Sequence, residues 1–385
     1  MRIDRLRDTI LLLTVAVYTS GYATIGLSVL LIVFAGEALL RSWRWVRTSL
    51  DLPLLALVIA VLASTVASEW RALTVEMVIY FLFAVLVSVR AVGSYGAGGA
   101  DRIMELLVIW VAGGVAAAVW GLAASSRNGF VLASTPVINP NTLGTTLAVA
   151  VVLGLALMLG GAPGRQRVWA GGMLVLGTAL VATLARAAWV AAAAGVVTLM
   201  LIGGARARAA LALGCVLLIA VGWAALPRAY TLNNEVRSIT SLEANRYRMF
   251  LWRAAPRIFA DYPILGSGYG TFPYVYPRYR SENAPEPNAP FAHNIFLNFA
   301  AETGVLGLVA FVSLCGAGLF SSWRWFVRSP PGSPDRTAAT AVLAALVTFL
   351  TNQLFDGTAL TVHAGFGLLA LLTLGAVGDR GVRVR

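Results

Sequence analysis

The stretch Ala292-His293-Asn294-Ile295-Phe296-Leu297-Asn298-Phe299-Ala300-Ala301-Glu302-Thr303-Gly304-Val305-Leu306-Gly307 places a histidine where a long polar loop gives way to apolar sequence. Upstream, from about Leu226 to Ala292, the chain is polar and rich in arginine and aromatic residues. Downstream it is apolar enough to re-enter a hydrocarbon core. A histidine at such a junction is well placed for chemistry, because its ordinary pKa lies near neutrality and it can take a proton from an attacking hydroxyl.

The rest of the chain repeats this apolar character. Of 385 residues, 59% are hydrophobic and 12% charged, and mean hydropathy is +0.80. That composition excludes an ordinary soluble domain and indicates a polytopic membrane protein. A helical span needs about 20 apolar residues, and the sequence offers about twelve such stretches. They lie at 9–20, 23–40, 52–68, 72–91, 103–124, 141–160, 168–185, 187–203, 209–225, 295–322, 338–355 and 358–378. The charged N-terminus, Met1 to Arg7, precedes continuing apolar sequence without a small-x-small cleavage site, and reads as the start of a retained first helix. The expected class is an all-α polytopic membrane protein in three parts: N-terminal spans over 1–225, a polar loop with short helices over 226–292, and C-terminal spans over 293–385.

Arginine sets the orientation. Short cytoplasmic loops carry the positive excess, and alternate loops hold Arg41/Arg44/Arg47, Arg90/Arg102, Arg165/Arg167, Arg206/Arg208, Arg324/Arg328/Arg336 and Arg380/Arg383/Arg385. The opposite short loops hold only Arg71 and Arg127. Both termini are therefore expected inside and the long loop outside, which accounts for the net charge of +12 without any nucleic-acid partner. Cys215 and Cys315 both fall in apolar spans, and the cysteines and histidines form no metal-ligand spacing.

The long loop lies beyond the reach of the positive-inside rule. It nevertheless holds Arg228, Arg237, Arg246, Arg248, Arg253, Arg257, Arg278 and Arg280 among many aromatics. Guanidinium forks suit phosphate, and aromatic faces suit sugar rings; interfacial anchoring and ion pairs with Glu235, Glu243 and Asp261 are the structural alternative. Within the loop, Asn245 to Ala255 reads as a helix, and Asp261-Tyr262-Pro263 ends helical structure. The spaced glycines Gly266, Gly268 and Gly270 turn the chain back toward the membrane. Pro285-Glu286-Pro287-Asn288-Ala289-Pro290 then delivers His293 extended to the next helix.

Arg186 interrupts an apolar run from Val168 to about Ile202 that is too long for one span and fits a tight hairpin. The topology puts this turn at the level of His293, where an ionisable residue points to function. Asn139-Pro140-Asn141 and Asn352, Gln353 and Asp356 collect at the same level. Glu302, nine residues after His293, is about half a rotation out of phase at 100° per residue, so it faces away from the histidine and suits a role in fixing the helix.

With these residues in hand, the chain resembles the bacterial O-antigen ligase and polymerase family. The resemblance rests on His293-Asn294-x2-Leu297-x4-Glu302-x-Gly304-x2-Gly307, on Arg248-x3-Trp252 leading to Tyr262-Pro263-x2-Gly266-x-Gly268, on the membrane Arg186, and on Asn139-Pro140-Asn141-x2-Gly144. It implies a GT-C-like membrane glycosyltransferase at the periplasmic face of the inner membrane, without cofactor or metal. Such an enzyme passes a glycan from undecaprenyl diphosphate to an acceptor hydroxyl with inversion. His293 would be the general base, and Arg186 with Arg248 would hold the diphosphate. Arg246 is an alternative for the second arginine, and Asn294, Glu302 and Gly304 would support the motif.

The acceptor separates two activities that share these motifs: lipid A-core for a ligase, a second polyprenyl-linked glycan for a polymerase. A short, arginine-rich outer loop favours the ligase on electrostatic grounds. A transporter of polyprenyl-linked glycans, or a structural subunit of a polysaccharide assembly complex, would carry the same apolar spans but would not depend on His293 and Arg186.

Overall fold

The computed structural model describes residues 46–127, 139–160, 166–204, 208, 243–357 and 362–384. The spans expected at 9–20, 23–40 and 209–225 lie outside the described residues, as do Glu235 and Cys215. Among the described residues the secondary structure is helical throughout. The elements are α1 (Asp51–Ala67), α2 (Arg71–Val87, continued by a π-helical turn, Ser88–Val92, and by Gly93–Gly96), α3 (Ala100–Arg127), α4 (Pro140–Gly160), α5 (Gln166–Ala182) and α6 (Arg186–Ile202). Then come α7 (Glu243–Asp261), α8 (Phe272–Tyr279), α9 (Ile295–Arg328), α10 (Pro334–Gln353) and α11 (Val362–Val384). Among the described residues, four stretches are long and apolar enough to cross a membrane: Arg71–Gly96, Ala100–Ser125, Pro140–Gly160 and Ile295–Arg328. Asp51–Ala67, Trp169–Ala182 and Arg186–Ile202 are apolar and shorter.

Local chemistry explains where several of these helices begin. The Asn139 side chain accepts from Thr142 N at 2.9 Å with Pro140 in the first turn, and the Ser333 hydroxyl accepts from Arg336 N at 3.1 Å ahead of Pro334. Asn294 accepts from both Phe296 N and Leu297 N. Each cap meets backbone donors that a helix start otherwise leaves unpaired.

Small residues decide how the helices pack. The alanine-rich α10 is buried along almost its whole length and touches α4, α6, α9 and α11. Between apolar helices, association depends on close backbone approach, because lipid tails are as apolar as the side chains. The hairpin expected around Arg186 is splayed: α5 and α6 part at Thr183-Leu184-Ala185 and each packs on α4 more than on the other. Gly144 of α4 permits this, since a Cβ there would stand 2.7 Å from Ala185 Cβ and 3.1 Å from Ala188 Cβ.

The span expected as one helix over 295–322 is broken. Gly304 has φ 64° and ψ −164°, a backbone conformation essentially confined to glycine. Phe299 and Phe311 stack with ring centroids 4.3 Å apart, whereas twelve residues of straight helix would separate them by about 18 Å. The piece Ile295 to Thr303 therefore folds over the piece that follows. The break frees carbonyls, and the glycine-rich segment uses them: Ser267 N donates to Ala301 O at 3.0 Å, Gly268 N to Glu302 O at 2.9 Å, and Val305 N to Pro263 O at 2.8 Å.

The fit at this crossing is backbone against backbone. A Cβ on Gly304 would meet Ile264 O at 2.2 Å, and one on Gly266 (φ 72°) would meet Glu302 C at 2.2 Å. Gly304→Ala is expected to destabilise the docked loop by about 3 kcal/mol or more, combining the strained backbone with the clash. Thermal unfolding in detergent, with limited proteolysis at the loop arginines, checks this. Gly171→Ala is the control, because a Cβ there meets nothing within 4 Å; equal melting and cleavage of the two variants would contradict the assignment.

Candidate functional site

Residues 243–292 of the polar loop form a small body of their own on one end of the bundle. On α7, Leu251, Ala254, Ala255 and Ile258 recur at helical spacing and are buried against Phe272, Val275, Tyr276, Ala289, Ala292 and Ala301. The helix expected over 245–255 thus runs to Asp261 and ends before Pro263, as Asp261-Tyr262-Pro263 suggested. Arg253 and Arg257 point to the exposed side. Arg248 lies one turn before Leu251 on the inner side and is half-buried. Arg246 begins about 200° around the helix from Arg248, and its side chain lies outside the described residues.

Glu302 is the clamp of this body. Its carboxylate accepts from Gly270 N at 3.0 Å and Phe272 N at 2.9 Å, joining the kinked helix to the start of α8. It is 3% exposed and makes no described contact with His293.

His293 occupies a tightly held turn. Its φ is +52°, an uncommon conformation for a residue with a Cβ, although histidine tolerates it better than most. Both neighbours are tied down: Ala292 N donates to Asn298 Oδ1 at 2.9 Å, and Asn294 Nδ2 donates to Leu354 O at 3.0 Å while its oxygen caps α9. The ring is flanked edge-on by Phe291 at 4.8 Å and Tyr247 at 5.8 Å. The Tyr247 phenol is pushed up by burial first and then by the negative charge of Glu286.

Across from the imidazole stands Asp356, just beyond α10. His293 Nδ1 and Asp356 Oδ1 are 3.3 Å apart, and Asp356 is 2% exposed. The approach is close but off the hydrogen-bond direction, so it is an ion-pair contact whenever the imidazole carries a proton. Gly357 N donates to the same oxygen at 2.8 Å. One turn back, Asn352 Oδ1 accepts from Thr145 Oγ1 at 3.1 Å, tying this end of α10 to α4.

Arg186 is the first residue of α6, just past the break. Leu184 at φ +53° reverses the chain, and Trp189 Nε1 donates to Leu180 O at 2.9 Å across the turn. Arg186 thus adds its charge to the positive end of a 17-residue helix. It converges with Arg248. Burial lowers the pKa of Arg248, the Asp356 carboxylate opposes that shift, and the neighbouring Arg186 guanidinium reinforces it. An arginine keeps its proton at neutral pH through such a shift.

The structure therefore brings together His293, Asp356, Arg186 and Arg248, with Asn294 as the cap, while Glu302 and Gly304 hold the crossing beneath. Asp356 was legible in the sequence only as one of several polar residues at this level; its partnership with His293 depends on α10 packing beside α9. The arginines of the loop divide by role. Arg278 donates to Glu69 at 2.7 Å and covers the Trp70 ring at 4.9 Å. That bond holds the Glu69 carboxyl below the usual carboxylate range. The carboxylate partner of Arg278 is thus on the α1–α2 turn and not among the loop carboxylates expected, and Asp261 instead accepts from the Tyr279 hydroxyl at 2.6 Å.

No curated protein matches the chain. Residues 171–312 match the family described as O-antigen ligase, a segment that contains Arg186, Arg248, His293, Asn294, Glu302 and Gly304. Apolar helices surround this segment, so the chain is a membrane protein in which residues 171–312 match the O-antigen ligase family, the one its motifs resemble.

Proposed function

We propose that the protein is a GT-C-like membrane glycosyltransferase that moves a glycan from undecaprenyl diphosphate to an acceptor hydroxyl at the periplasmic face of the inner membrane. The observation that carries this reading is the convergence of His293, 3.3 Å from the buried Asp356, with Arg248 under the fields of Asp356 and Arg186. A base beside two guanidiniums suits the transfer of a group from a diphosphate leaving group.

In this mechanism the acceptor hydroxyl gives its proton to Nε2 of His293, because Nδ1 faces Asp356. The hydroxyl oxygen forms a bond to the anomeric carbon as the bond from that carbon to the diphosphate oxygen breaks on the opposite side. The sugar inverts. Negative charge develops on the departing diphosphate, and Arg186 and Arg248 stabilise it without a metal ion. Asp356 stabilises the imidazolium as the proton arrives, as carboxylates do beside catalytic histidines. We assign the second phosphate arginine to Arg248 in preference to Arg246, because Arg248 lies on the inner face of α7.

The twelve-span layout with both ends cytoplasmic, and the division at 225 and 292, complete the proposal. The acceptor we favour is lipid A-core, to which the exposed Arg253 and Arg257 offer positive charge for phosphate groups. Polymerase activity on a second polyprenyl-linked glycan is the alternative.

The deciding experiment gives the purified chain an undecaprenyl diphosphate-linked oligosaccharide with and without lipid A-core. Product that requires lipid A-core identifies a ligase, and a glycan ladder without it identifies a polymerase. In either case His293→Ala is expected to lower turnover by about 10²-fold or more. Arg186→Ala and Arg248→Ala are expected to lower it by about 10²–10³-fold, with partial recovery in the lysine variants, which keep the charge but lose the fork. Turnover indifferent to His293, or no product with either acceptor from folded protein, would turn the assignment toward a transporter or a structural subunit.

Asp356→Asn keeps the shape of the side chain and removes its charge. Single-turnover measurements are expected to show a slower chemical step, with donor affinity changed less than in the arginine variants. Loss of donor affinity with an unchanged chemical step would assign Asp356 to substrate binding instead.

A further inference from the structure

The opposite end of α9 carries a second arrangement that the transfer reaction does not use. Val305 to Arg328 is 24 residues, about 36 Å of helix, which puts Arg324 and Arg328 far from His293. The Asp379 carboxylate of α11, 3% exposed, lies between them, with Arg324 Nη2 at 3.0 Å and Arg328 Nη1 at 3.2 Å. Arg380, next along α11, donates to the Arg47 carbonyl at 2.9 Å. Two guanidiniums thus share one carboxylate where one would suffice to neutralise it, and a third, Arg380, is held close by in sequence on a backbone carbonyl.

The surface beside them is apolar. Phe320, Trp323 and Val327 recur along one face of α9 and are 59%, 47% and 56% exposed. Arg324 lies on the same stripe, its guanidinium 5.4 Å from the Phe320 ring centre. The Arg328 side chain is 44% exposed. Aromatic and aliphatic side chains leading up to a surplus of arginine at a helix end suit a molecule with an acyl chain and an anionic head.

We propose that this face binds an anionic phospholipid, its phosphodiester on Arg328 and Arg380 and an acyl chain along Phe320, Trp323 and Val327. Asp379 serves as the brace that fixes Arg324 and Arg328 at a defined spacing. The site needs no part of the glycosyl-transfer mechanism and stands or falls apart from it.

The test is lipid retention by the full chain in detergent, read by native mass spectrometry with equal amounts of phosphatidylglycerol and phosphatidylcholine. Phosphatidylglycerol is expected to be retained preferentially. Arg328→Gln, which leaves Arg324 on Asp379, is expected to cut that preference about fivefold, the effect of one arginine near a charged headgroup, while Arg328→Lys keeps it. Trp323→Ala removes the acyl contact without touching an ion pair, is expected to lower retention, and serves as the readout should Arg328→Gln not fold. Equal retention of the two lipids by the unmodified chain, or unchanged retention in both Arg328→Gln and Trp323→Ala, overturns the proposal. Displacement of phosphatidylglycerol by inorganic phosphate at matched ionic strength also overturns it, by reducing the site to one for free anions.

Discussion

The crossing of two glycines, Gly266 and Gly304, is the constraint on which the rest of this structure depends. A helix entering the bundle stops obeying helical geometry at Gly304, and the carbonyls of Ala301 and Glu302 turn to the backbone donors of Ser267 and Gly268. Neither glycine has room for a Cβ. The Glu302 carboxylate closes the same junction from its other side through Gly270 and Phe272. An unpaired buried donor or acceptor costs about 1–3 kcal/mol, so these reciprocal bonds make a broken helix tolerable where a continuous one would leave the polar loop unattached. The break thereby sets where Ile295 begins and where His293 stands.

Around His293 the polar groups are arranged by short tethers and not by one rigid element. Asn294 caps α9 and reaches Leu354, Asn298 holds Ala292, and Thr145 holds Asn352. These bonds bring the start of α9, the end of α10 and the start of α4 to one level. The left-handed turn at His293 is sustained by this scaffold, and strain of that kind persists where the surroundings over-determine it. Arg186 and Arg248 arrive from two further elements, the break between α5 and α6 and the inner face of α7. Two guanidiniums, one carboxylate and one imidazole leave a positive balance at this level, which suits an anionic group.

Much of the helical layout was legible in the sequence because its causes are local. Apolar length marked most of the described helices, and Asp261-Tyr262-Pro263 marked where α7 ends. Two expectations failed for reasons outside local pattern. Hydropathy read 295–322 as one span, because Gly304 looks the same in an apolar run whether the helix bends there or not. The run around Arg186 read as a tight hairpin, but α5 and α6 lean on α4, where Gly144 admits Ala185 and Ala188.

The sequence by itself determined the membrane class, the helix starts, and the few ionisable groups available for chemistry in apolar surroundings. These follow from composition, periodicity and capping, all of which act within a few residues. Only the tertiary structure decided which of those groups meet. His293 and Asp356, or Arg186 and Arg248, lie more than sixty residues apart in sequence. Whether such pairs come together depends on how closely α4, α6, α9 and α10 pack, a property of side-chain volumes across helices that no local pattern records.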